Sequence, residues 1–370
     1  MGPSGSGKTT LLLCVSGAVK ATSGDVSVNG SPFDAAAMQR VAAFVPQDDL
    51  LTPCLTVEES LREACVFKTG YPAHDPRTDA TVSELARRFG LEDCLGTPVG
   101  RPDEGNRGAS GGQRRRLSVA LELCGDPSLL YLDEPTSGLD SVRAPASKRA
   151  AATRRLQITQ VATMTLVKSL NGLAARGVAC VAVIHQPSAA AFFSFDRLLL
   201  LRSGGAVVFE GPVAPGAEPA ALLARAGRPC DALANPADAL FEALQADPDS
   251  LVRAAAAAPP RPPPPPPLLP AGPRYALPLA GQVKMHSIRN FRQMLRDPIL
   301  ARLRLGSAAG VALVLCGLYG KLGDNFEGIN NTISLLLFTM VFLALTSALP
   351  VVLSVLPEIQ AVQKEVRNNW

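Results

Sequence analysis

Met1-Gly2-Pro3-Ser4-Gly5-Ser6-Gly7-Lys8-Thr9-Thr10 opens the chain, and from Gly2 to Thr9 it fits G-x-x-x-x-G-K-[ST], the spelling of a phosphate-binding loop. The chemistry explains the letters. Glycines at 2, 5 and 7 let backbone amides turn inward around phosphate oxygens with no Cβ in the way. Lys8 adds a point charge, and the Thr9 hydroxyl suits one coordination position on Mg²⁺. The apolar run 11–15 reads as the helix whose positive end faces the anion. Gly2, Pro3, Ser4, Gly5, Ser6, Gly7, Lys8, Thr9 and Thr10 are therefore the candidate nucleotide contacts. A strand should lead into such a loop. None precedes Met1 here, so the domain is expected to be incomplete at its N-terminal end.

The 370 residues suffice for two or three units and a sizeable core. A net charge of +4 is mild and does not point to nucleic acid, which is not expected as a partner. Eight cysteines are scattered without a C-x-x-C pair or a histidine at metal spacing. They read as small apolar residues in a reducing compartment.

To about residue 250, short β-rich runs alternate with helical stretches, the rhythm of an α/β domain. Strands are expected at 41–45, 129–132, 178–184, 197–201 and 206–210. The runs before Asp133 and before His185 are apolar throughout, as in strands covered on both faces. Polar chemistry begins directly at their C-terminal ends, where open α/β sheets place ligands.

Two stretches break the rhythm. Residues 142–160 carry Arg143, Lys148, Arg149, Arg154 and Arg155 with no acidic residue and little periodicity. A basic surface insertion and a translated segment foreign to the protein are both open readings. Residues 251–280 are Ala- then Pro-dominated, with an unbroken proline run at 262–267, and read as a semi-rigid polyproline II linker between domains.

Beyond the linker, 281–370 changes character and reads as the start of a transmembrane domain. Ile288, Phe291 and Leu295 recur at helical spacing within 283–297, with Lys284, Arg289, Arg292 and Arg296 mostly elsewhere. This predicts an amphipathic connecting helix on an anionic membrane surface. Uncharged runs then predict membrane helices at about 303–321 and 332–356, with Arg302, Arg304 and Lys321 placed to snorkel at the ends of the first. Basic residues crowd the side before the first span, which puts the preceding domain in the cytosol.

A second strong signal is Leu129-Leu130-Tyr131-Leu132-Asp133-Glu134-Pro135, an apolar strand ending in paired carboxylates. After a phosphate-binding loop this is the Walker B pattern: Asp133 holds Mg²⁺, directly or through water, and Glu134 polarises the attacking water. The expected fold class is thus an α/β P-loop NTPase followed by α-helical transmembrane segments.

A third signal narrows the family. Ala109-Ser110-Gly111-Gly112-Gln113, followed by Arg114-Arg115-Arg116-Leu117, lies just upstream of Walker B and opens a helix, a second anion-binding end. It resembles the signature sequence of ABC ATPases, with Ala109 where a larger apolar residue is usual. The resemblance implies that Ser110, Gly111, Gly112 and Gln113 contact the γ-phosphate held by the P-loop of an opposite subunit. It further implies that Gln47 is the Q-loop glutamine, sensing Mg²⁺ and water, and that Asp140, in Ser137-Gly138-Leu139-Asp140, belongs to the dimer-crossing D-loop. His185 is implied as the switch histidine at the γ-phosphate. The phrases Val45-Pro46-Gln47-Asp48-Asp49, Thr56-Val57-Glu58-Glu59-Ser60-Leu61, Ile184-His185-Gln186-Pro187 and Asn235-Pro236-Ala237-Asp238 resemble the G subfamily, half-size transporters of the White type, as does the segment from Phe291 to Pro298.

What the resemblance implies is an ATP-driven exporter of lipid-like or amphipathic molecules, with ATP and Mg²⁺ as ligands. The implied partners are a second half-transporter, homo- or heterodimeric, and membrane lipid. On this implied assignment Glu134, His185 and Gln47 are catalytic, and Thr9, Gln47 and Asp133 are the metal set. Six membrane helices are usual in that subfamily and two are read here, so a piece of a half-transporter is expected. Two other readings stand beside it: a soluble-type ABC ATPase without a transport role, and an inactive or regulatory fragment.

Overall fold

The computed structural model describes residues 1–28, 31–32, 38, 40–100, 108–136, 163–213, 218–228, 235–256, 275–296, 298–318, 329–345 and 364. The D-loop with Asp140, the basic stretch 142–160, the proline run and the later part of the second expected span lie outside them. The chain divides into two units, one built on Met1–Leu277 and one on Pro278–Glu365.

In the first unit, helix α1 (Lys8–Val15) leaves the phosphate-binding loop, and Gly7 caps it in the left-handed region at φ 80°. A two-residue antiparallel ribbon pairs β1 (Ser27–Val28) with β2 (Ser31–Pro32). The central sheet is parallel, with β4 (Leu129–Asp133) between β3 (Ala42–Val45) and β5 (Ala179–Val183). Its register sets Val45 beside Leu132 and Asp133 beside Val183. The three strands therefore end level, and Gln47, Glu134 and His185 follow from the same edge. This is the α/β arrangement that the apolar runs predict, within a residue or two at each end.

Apolar residues from β3 and β4 pack on one side against α2 (Val57–Thr69), α3 (Pro76–Phe89), α4 (Gly111–Leu123) and the helix α5 over 163–174, where Leu61, Phe89, Leu117, Leu130, Leu132 and Leu166 are fully buried. Leu12, Phe44 and Tyr131 form a smaller cluster beneath α1. Helix starts are written into the sequence. Thr56 caps α2 in a reciprocal capping box with Glu59, and Asp75 caps α3 with Pro76 at its first position. Each cap satisfies amides that would otherwise be orphaned, and is worth about 1 kcal/mol.

After the short helix α6 (Ala189–Phe192), β6 (Arg197–Leu201) and β7 (Val207–Pro212) form an antiparallel pair. This pair packs on α7 (Glu218–Arg225), α8 (Pro236–Ala246) and α9 (Pro248–Ala256) around Leu200, Leu222 and Leu240. Met1 lies beside β6: its amine donates to Leu199 O at 2.6 Å and its carbonyl accepts from Leu201 N at 2.9 Å. Those two bonds flank Leu200 in the pattern of a parallel strand pair, so the loop enters the fold from a strand-like residue.

The second unit is helical. Its elements are α10 (Leu279–Arg296), α11 (Pro298–Leu318) and α12 over 329–345. Val283, Phe291 and Leu295 of α10 are more than half exposed. Among the described residues no helix is long and apolar enough to cross a membrane.

Candidate functional site: a phosphate-binding loop facing paired carboxylates

The loop 2–9 is shaped by close approach. A Cβ on Gly2, whose φ is 154°, would lie 2.5 Å from Leu201 O and 2.7 Å from Ser6 Oγ. Ser6 is fully buried under the turn, and its hydroxyl has no hydrogen-bond partner among the described residues. Ser4, Gly5, Gly7, Thr9 and Thr10 are exposed.

Opposite the loop stand the carboxylates of β4. Thr9 Oγ1 donates to Asp133 Oδ1 at 3.1 Å, although 124 residues separate them in sequence. Asp133 is 3% exposed, and burial raises its pKa, partly opposed by the Thr9 hydrogen bond. Lys8 Nζ donates to Pro3 O at 2.7 Å. Desolvation lowers the Lys8 pKa, while Glu134 and Asp133 pull it back up, so the ammonium stands in their field. Glu134 turns out of the strand at φ 45°, a left-handed conformation that costs a non-glycine residue about 1 kcal/mol. Its amide is held by Val183 O at 3.0 Å. Gln47 Nε2 donates to Glu134 Oε2 at 3.0 Å. Lys8, Thr9, Gln47, Asp133 and Glu134 therefore meet in one place.

The other expected residues are placed differently. Ser110 and Gln113 bond each other in a capping box: Ser110 N donates to Gln113 Oε1 at 2.8 Å and Gln113 N to Ser110 Oγ at 3.3 Å. Ser110, exposed, thus opens α4 as the sequence predicts. His185 is exposed at the end of β5, its ring 5.7 Å from that of Phe241 on α8. Asn235, the cap of α8, donates to Pro187 O at 2.9 Å, which ties α8 to the segment after His185.

Sequence reasoning missed Arg115. It is 1% exposed and reaches the backbone of both the 46–47 and 133–135 segments. No local signal marks it: that Arg115, Ser118 and Glu122 share one buried face of α4 is visible only in the fold.

The site fits a nucleotide with its ion. The loop's inward amides and Lys8 suit phosphate, while the Thr9 hydroxyl and Asp133 carboxylate are the hard oxygen donors that Mg²⁺ takes alongside phosphate oxygens. Among the described residues there is no cluster of three or more His, Cys, Asp or Glu, so a cage built by the protein alone is not what these residues form.

Residues 1–137 match the family model described as ABC transporter, and residues 281–370 match the ABC-2 type transporter model. ABC transporter G family member 26 of Arabidopsis thaliana is 40% identical over 205 residues, 55% of this chain and 27% of that protein. ABC transporter G family member STR2 of Medicago truncatula is 36% identical over 248 residues, 66% and 30% respectively. ABC transporter G family member 6 of Arabidopsis thaliana is 29% identical over 396 residues, 95% of this chain and 51% of that protein. The chain thus spans about half the length, or less, of these curated relatives. A P-loop ATPase unit precedes a membrane-family unit, and the chain belongs to the ABC transporter family, in its G subfamily of half-transporters.

Proposed function

We propose that this chain is the ATP-binding and ATP-hydrolysing subunit of a membrane transporter, working with a second half-transporter and moving lipid-like or amphipathic molecules. The observation that carries this reading is the meeting of Lys8, Thr9, Gln47, Asp133 and Glu134 at the level ends of parallel strands. The match of residues 281–370 to a membrane family supports transport over a soluble ATPase role.

The residues divide the work by their chemistry. Lys8 exchanges the neutral Pro3 carbonyl for a phosphate oxygen, a charge-assisted and stronger partner. Thr9 and Asp133, with Gln47, would hold Mg²⁺, which would supply positive charge against the phosphate oxygens. Glu134 accepts a proton from the attacking water, and Gln47 fixes the carboxylate that does so. Ser110, Gly111 and Gly112 present the N-terminal end of α4 to nucleotide on a second chain, with Asp140 at that interface and His185 reading the γ-phosphate. The basic residues Lys284, Arg289, Arg292 and Arg296 lie before the first membrane segment, which supports a cytosolic ATPase unit.

Glu134→Gln tests the reading. The substitution keeps size and hydrogen bonding but removes the base, so ATP binding is retained and hydrolysis is lost. Wild-type turnover in the folded variant would sink the assignment. Carbonate extraction of membranes from expressing cells tests the membrane part: the chain stays in the pellet if it is integral and is released if it is not.

A further inference from the structure

We propose that Arg115 is a positioning residue for hydrolysis, whose guanidinium sets where Glu134 and Gln47 stand. The inference rests on the ATPase reading above. Arg115 is 1% exposed and lies in the second turn of α4. Its Nε donates to Pro135 O at 3.1 Å. Its Nη2 donates to Asp133 O at 2.8 Å and Glu134 O at 3.1 Å. Its Nη1 donates to Pro46 O at 2.7 Å, Gln47 O at 3.0 Å and Asp49 Oδ1 at 3.1 Å. The five N–H groups of one planar fork are fully used, on two chain segments that meet nowhere in sequence.

The three consecutive carbonyls explain the geometry. Along an extended strand successive carbonyls point to opposite sides, so a single cation cannot gather those of residues 133, 134 and 135. The left-handed φ of 45° at Glu134 turns them toward one point, and Arg115 occupies that point. The backbone turn that takes Glu134 out of the sheet line is thereby held in place from α4. The same fork fixes Pro46 and Gln47, so the 3.0 Å bond between Gln47 and Glu134 joins two segments clamped by one group. Asp49 balances the buried charge. A lysine offers one point rather than a fork, and cannot hold both segments at their present spacing. Its donors are taken by backbone carbonyls and Asp49, so it acts through the two residues it holds.

The test uses the full 370-residue chain as wild type, Arg115→Lys, Arg115→Met and Asp49→Asn. It measures affinity for a fluorescent ATP analogue, steady-state ATP hydrolysis per folded molecule, and thermal unfolding. Arg115→Lys is expected to bind the analogue within about threefold of wild type while kcat falls about 10-fold, and Arg115→Met to lose about 100-fold, the scale of misplacing a reacting group by an ångström. Asp49→Asn keeps the five carbonyl contacts and should retain turnover within about threefold. If Arg115→Met does not fold, the lysine and asparagine variants carry the test. A folded Arg115→Lys with wild-type kcat overturns the inference alone. So does an equal loss of binding and turnover, which marks a general structural role. A wild-type chain without turnover overturns the ATPase reading, and this inference with it.

Discussion

Gln47 Nε2 stands 3.0 Å from Glu134 Oε2, so the segment leaving β3 is tied to the carboxylate leaving β4 before any ligand is considered. The amide donates and the carboxylate accepts, which fixes one oxygen of the base. Replacing Gln47 by alanine frees the Glu134 side chain, and we expect hydrolysis to drop about 10-fold with ATP affinity within about twofold. Gln47→Glu should be more damaging, because it replaces the donor facing Glu134 by a second carboxylate, which repels it. Steady-state hydrolysis and ATP affinity of the two variants check this: wild-type rates in both would show that the contact does not matter.

Gly2 makes a different demand, on space rather than charge. An alanine methyl there would sit 2.5 Å from Leu201 O, a backbone atom of the strand beside Met1. Neither side of that contact has a flexible end to move. Gly2→Ala is therefore expected to displace the loop and weaken binding of an ATP analogue at least 10-fold, whereas Gly5→Ala meets no atom within 4 Å and is opposed only by its φ of 76°. Isothermal titration of both variants tests the ordering; equal losses would show that backbone conformation, not the approach to Leu201, governs position 2.

The sequence was most legible where the backbone leaves no choice. Glycines at 2, 5 and 7, apolar strands ahead of Asp133 and His185, and caps such as Thr56 and Ser110 are local requirements, and the expected elements lie where those letters place them. Arg115 was not legible. In Arg114-Arg115-Arg116 each side chain points about 100° from the last, so one of three identical letters turns inward and the run reads as a solvated basic patch. Which one is chosen depends on carbonyls 18 to 69 residues away. The contact between His185 and Phe241 is hidden for the same reason: ring packing across 56 positions (241 − 185) carries no local pattern.

The pair Lys68 and Glu122 lies just as far from local inference. Lys68 Nζ donates to Glu122 Oε2 at 2.6 Å and to Glu122 O at 3.0 Å, joining the last turn of α2 to the last turn of α4, with the side chains 6% and 0% exposed. Removing one partner strands a buried charge, so Glu122→Leu or Lys68→Met alone should destabilise the chain by about 3–5 kcal/mol. The double variant replaces both charges by apolar groups of similar volume and is expected within about 1 kcal/mol of wild type. Urea unfolding of the four proteins closes the cycle, and additive losses in the double variant would refute a coupled pair.

Tyr131 gives the fold a limit on its alkaline side. The residue is 2% exposed in β4, its hydroxyl donates to Val15 O at 3.2 Å, and burial pushes its pKa up to about 12 from 10.0. Between those values the unfolded chain has released a proton that the folded chain keeps, so the free energy of unfolding falls as pH rises. The contribution is complete below pH 10 and is lost by pH 12, about 3 kcal/mol across the window. Tyr131→Phe keeps the ring packed and removes the titration, at a cost of about 1 kcal/mol for the lost hydrogen bond at neutral pH. Other groups titrate in the same range, so the informative quantity is the difference between the two proteins. Unfolding midpoints measured from pH 8 to 12 should show the phenylalanine variant less stable at the start and level with or above wild type at the end. Parallel curves would mean that Tyr131 ionises in the folded chain as freely as in water.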